Sequence, residues 1–103
     1  ALLRARRPND SVGALYSALE LTAESGLRGA DGSTPASSLD VGAGRLRVDR
    51  AMATGLVLPL SAADFSREDP RFGGDPRRLN LASLYDRQCR SRCSFTRVVE
   101  GWR

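Results

Sequence analysis

Cys89 and Cys93 stand in a C-x3-C spacing, with Arg90 and Arg92 between them. Thiols ligate metals, cycle electrons or close a disulfide. A redox dithiol motif has two intervening residues, and here there are three. A structural zinc ion needs four ligands, and the chain has no His and no further Cys to complete the set. The spacing therefore suits a short-loop disulfide. Closing a loop of about five residues restricts the unfolded chain by about 2 kcal/mol. The bridge would pin the turn that enters the segment after it and place the chain in an oxidising compartment. Two free thiols in a reducing compartment are the alternative.

The lack of His removes more chemistry than the cysteines supply. No imidazole is present to act as general base, metal ligand or pH switch. A Ser–His–Asp triad cannot be assembled from these residues alone. Gly42-Ala43-Gly44 invites a phosphate-loop reading, but Arg47 occupies the place of the third glycine in G-x-G-x-x-G. A strand-like stretch follows it, where the motif requires a helix. Close backbone packing is the better account of Gly42 and Gly44.

The charge pattern narrows the partners. Sixteen arginines and no lysine oppose 12 acids, for a net charge of +4. The arginines are dispersed, and the six aromatic residues are mostly solitary. A nucleic-acid groove is built from a clustered basic stripe with aromatic platforms, so no nucleic-acid partner is expected. No apolar run approaches the roughly 20 residues of a membrane span. The start, Ala1-Leu2-Leu3 followed by Arg4, Arg6 and Arg7, does not resemble a signal peptide. Leu, Val and Phe together supply 23 of 103 residues, which permits a thin core.

The elements that would hold these residues are legible in outline. Residues 1–6 are helix formers, and Pro8 pushes Arg7 out of the helical region. Asn9, Asp10 or Ser11 can cap a second helix, whose apolar face is Val12, Leu15, Tyr16, Leu19 and Ala23. Residues 28–38 read as a loop. Leu46 and Val48 alternate as in a short strand. Asp49 can cap a short helix through Thr54, with Gly55 in the C′ position just past its end. Leu56-Val57-Leu58 is strand-like and Pro59 stops it. Residues 61–78 form a polar connection with one helical turn near 62–66. Two further strand-like stretches begin at Leu79 and at Ser94.

Taken in order, these pieces resemble the end of the catalytic domain of subtilisin-like serine proteases. Residues 1–23 resemble the end of the helix that carries the nucleophilic serine, a proline-marked turn, and the next helix. Leu15, Ser17, Ala18, Leu19, Thr22 and Ala23 carry that match. Thr34, Pro35, Asp40, Gly42, Ala43, Gly44, Ala51, Gly55, Leu56 and Val57 match the family's TP…D-x-GAG…A…GLV segment. Residues 79–84 and 95–99 resemble the first strands of the fibronectin type III-like module that follows in many secreted members.

The resemblance implies an α/β architecture. Residues 1–60 would be the C-terminal part of a parallel-sheet domain, 61–78 a linker, and 79–103 the start of a β-sandwich. It implies a secreted or periplasmic scaffold segment of an endopeptidase acting on proteins and peptides. The N-terminal remainder of the protease would be its partner, and no membrane would be involved. Asp40, Gly42, Gly44 and Gly55 would be structural; no catalytic residue, metal site or cofactor is implied within this chain. The competing reading is an independent secreted binding domain with a disulfide. A third, a small Arg-rich nucleic-acid binder, has the weakest support.

Overall fold

The computed structural model describes residues 1–102. Helix α1 (Leu2–Arg6) stops at Arg7, which adopts φ −134° and ψ 66° ahead of Pro8. Arg4 fastens the turn that follows, donating to the carbonyls of Pro8 at 3.1 Å and Asp10 at 2.7 Å. Ser11 then caps α2 (Val12–Leu21), its hydroxyl accepting from the Ala14 amide at 3.1 Å. Of the three capping candidates, Ser11 is the one used.

Helix α2 keeps Leu15 and Leu19 of the face its periodicity suggests at the core, but shifts that face toward Ala14, Ser17 and Ala18. Leu15, Ser17 and Ala18 are buried, whereas Val12 and Tyr16 are exposed. The reason is a polar anchor. The buried Ser17 hydroxyl accepts the Leu58 amide at 2.7 Å, which draws the chain after β1 (Leu56–Val57) onto the small-residue side of the helix. An unsatisfied buried amide costs about 1–3 kcal/mol, so this bond favours the observed setting of the helix.

The chain then loops back. Glu24 and Arg45 form an isolated antiparallel bridge, and Arg28 pairs with Pro35. Between them, Ser37 and Asp40 build a capping box for α3 (Ser38–Val41). The strand expected at Leu46–Val48 is absent. Arg47 instead forks onto Asp49 at 3.0 and 2.8 Å, and Val48 opens α4 (Val48–Ala51). Asp49 thus lies in the first turn, with Arg47 at the cap position, and the helix ends on Met52 in right-handed geometry.

Helix α4 packs against α1 and α2, and α2 packs on β1. The core is Leu3, Leu15, Ala18, Ala51, Val57 and Trp102, with Ala14 and Leu19 against it. Trp102 arrives from the far end of the chain. Strand β2 (Glu100–Gly101) pairs antiparallel with β1, placing Leu56 opposite Gly101 and Val57 opposite Glu100. The Trp102 amide extends the ladder by donating to the Gly55 carbonyl at 2.9 Å. The Arg7 guanidinium covers the indole, 3.8 Å from the ring centroid. This two-stranded antiparallel sheet is the one sheet among the described residues.

Helix α5 (Ala62–Arg67) is the helical turn expected near 62–66. Two 3-10 turns follow it, Pro70–Phe72 and Pro76–Arg78. The stretches 79–84 and 94–99 run without a backbone ladder, contrary to the strands their composition suggests. Side chains hold them instead, as described next.

Candidate functional site

A concavity of about 790 Å³ lies between α5, the second 3-10 turn and the segment 94–98. One wall holds the second copy of a short repeat, Asp69-Pro70-Arg71 and Asp75-Pro76-Arg77. In each copy Pro occupies the first helical position, where its missing N–H costs nothing. The Asp accepts the backbone amide two residues on, from Arg71 at 2.9 Å and from Arg77 at 3.0 Å. Each Asp also receives its own Arg in a fork, closest at 2.7 Å for Asp69 and 2.8 Å for Asp75. Arg77 reaches further and donates to Asp86 at 2.9 Å. One guanidinium therefore ties the second turn to the loop that leads to the cysteines. The Asp75 amide in turn donates to Glu68 at the end of α5, at 3.0 Å.

Two side chains do the work of a missing β-ladder. The Asn80 amide donates to the carbonyls of Pro59 and Val98, both at 2.9 Å, and accepts the Val98 amide at 2.8 Å. Arg97 donates to the carbonyls of Leu81 at 2.8 Å, Thr96 at 2.9 Å, Arg77 at 3.1 Å and Ser83 at 3.2 Å. The amides of 94–97 are left without a hydrogen-bond partner among the described residues.

The electrostatics disfavour acid–base catalysis. The Arg77 guanidinium holds Asp75 down to about 2. Asp86 is lowered by the Gln88 amide first and Arg77 second. Asp64 is lowered by the Ser61 backbone amide and then its hydroxyl. Carboxylates so stabilised as anions are weak proton carriers near neutral pH. Ser61 is committed to capping α5. Apolar Leu60, Leu79, Phe95 and Val98 line the cleft among the charges. Among the described residues no three metal-ligating side chains gather.

The residues singled out in the sequence lie at several places. Cys89 and Cys93 form the disulfide, with Cα atoms 5.9 Å apart. Asp40 closes the capping box of α3, away from the cleft. Gly42 and Gly44 have φ of +58° and +118°, and a Cβ on Gly44 would lie 2.3 Å from the Glu24 carbonyl oxygen. That contact belongs to the Glu24–Arg45 bridge, so the loop closes there because residue 44 has no side chain. Gly55 has no positive φ and is not the left-handed residue of a helix C-terminus; its carbonyl serves Trp102. None of Asp40, Gly42, Gly44 or Gly55 lines the cleft. The missed signal was the Asp-Pro-Arg repeat, visible in the sequence at a spacing of six.

No helix among the described residues is long and apolar enough to cross a membrane. No protein-family model, curated protein or solved structure matches the chain.

Proposed function

We propose that this chain is a scaffold segment of a secreted or periplasmic subtilisin-like serine endopeptidase. The spacing of the resemblance across residues 1–58 carries the reading. The local geometry supports it. Helix α1, the turn at Pro8 and α2 follow the order that the resemblance implies. The glycine segment sits where the returning chain crosses the end of α2, at Glu24. The disulfide suits an oxidising compartment.

In this reading the parent hydrolyses peptide bonds by acyl transfer. Its serine attacks the carbonyl, its histidine moves the proton, and an oxyanion hole stabilises the intermediate. Residues 1–103 support the helix that presents the serine and contribute none of those groups. The division into a catalytic-domain end (1–60), a linker (61–78) and a β-module beginning at 79 belongs to the same proposal.

The test is translation of the reading frame upstream of Ala1, with a protease assay of the product. A GTSMASPH-like stretch shortly before Ala1, with casein hydrolysis blocked by a serine-directed inhibitor, is the expected result. The isolated chain should leave casein intact. A frame without such a serine, or hydrolysis by residues 1–103 alone, overturns the reading.

A further inference from the structure

Arg87, Arg90 and Arg92 flank and fill the disulfide loop; all three are exposed, and none makes an ion pair among the described residues. Between residues 87 and 97 there are four arginines and no acid. The neighbouring carboxylates offer them nothing, because Asp75 and Asp86 are committed to Arg77. The loop is also held in place. Asp86 accepts the Gln88 amide at 2.9 Å through its side chain and the Cys89 amide at 3.1 Å through its carbonyl, while the disulfide closes the other end. Directly after it, residues 94–97 form no helix or ladder, Ser94, Phe95 and Thr96 line the cleft, and the amides of 94–97 have no partner among the described residues.

We propose that the Cys89–Cys93 loop and the adjoining 94–97 edge form a docking site for an extended acidic peptide segment. The peptide backbone adds to the open edge as a strand, and its carboxylates meet Arg87, Arg90 and Arg92. The cleft favours a polypeptide over a polyphosphate: the unpartnered amides of 94–97 can take a peptide's carbonyls, and Leu79, Phe95 and Val98 accept apolar side chains between acidic ones. The site stands apart from the protease reading and does not require it.

The experiment is fluorescence anisotropy with the full chain, its disulfide intact, and a labelled peptide of alternating Glu and Val. Binding should weaken about tenfold in the combined variant Arg87→Gln, Arg90→Gln, Arg92→Gln, and should weaken comparably as salt is raised. Circular dichroism and a thiol titration verify that this surface variant is folded and bridged. A Gln-Val peptide should bind poorly. An acidic peptide methylated on alternate backbone nitrogens should also bind poorly, since it cannot pair with the edge. Equal binding by the triple variant, by the Gln-Val peptide or by the methylated peptide overturns the proposal. So does tighter binding of a single-stranded oligonucleotide of equal charge.

Discussion

At the scale of single residues, this protein spends its charge on local order. Asp31, Asp49 and Asp75 each sit near a pKa of about 2, below the ordinary 3.8. The leading causes differ: the Thr34 hydroxyl for Asp31, Arg47 for Asp49 and Arg77 for Asp75. A carboxylate with a lower pKa folded than unfolded binds fewer protons when folded. Its stabilisation is therefore complete above the unfolded value and lost as pH falls from 3.8 toward about 2. The thermal midpoint should drop across that window, and Asp75→Asn should flatten part of the drop. Scanning calorimetry between neutral pH and that window checks it. An unchanged profile in the variant would remove Asp75 from the account. Asp31 and Asp49 are solvent-exposed and Asp75 is partly so, and screening by salt should shrink the effect.

At the scale of elements, α2 holds the middle of the molecule through contacts its helical periodicity does not announce. Gly13 lies in its first turn, where Ala ordinarily gains about 1 kcal/mol of helix propensity. Here a Cβ would come within 2.1 Å of the Leu60 carbonyl oxygen. Overpacking costs typically about 1–3 kcal/mol, which exceeds the propensity gain. Gly13→Ala should thus destabilise, the reverse of the usual helix result. Urea denaturation reads the sign directly, and a gain in stability would mean that the 58–60 segment yields easily. The elements after α5 follow another logic. Asn80 and Arg97 join segments 14 to 21 residues apart by side-chain bonds to carbonyls. The alternation of Phe95, Arg97 and Val99 looks like a strand, yet no neighbouring backbone completes a ladder.

At the scale of the whole molecule, the chain is flat and open. Its principal extents are 42 × 41 × 22 Å and its radius of gyration is 15.4 Å. A compact domain of this length has a radius near 13 Å. Leu39 and Phe72 are each 81% exposed, and Leu2, Val12, Leu46 and Leu56 are uncovered as well. Under the proposed scaffold reading, another part of a larger protein covers this surface. The chain by itself should brighten an apolar-surface dye such as anilinonaphthalene sulfonate under native conditions, and a longer product that includes the upstream frame should brighten it less per molecule. Equal signals from the two would argue that nothing upstream packs here.

Local chemistry was readable from the sequence because it depends on near neighbours. Pro8 ends α1, Ser11 is among the caps that the sequence offers α2, and the helical turn near 62–66 and the Cys89–Cys93 bridge depend on residues at most four apart. The Asp-Pro-Arg repeat was equally local and equally legible. Tertiary structure alone decided which face of α2 turns inward, because that rests on a bond from Ser17 to Leu58, 41 residues away. It also decided that Trp102 caps a core begun at Leu3, and that 94–97 keeps an open edge. Those outcomes turn on which distant segment arrives to satisfy a buried amide or fill a space, and no local pattern encodes the arrival.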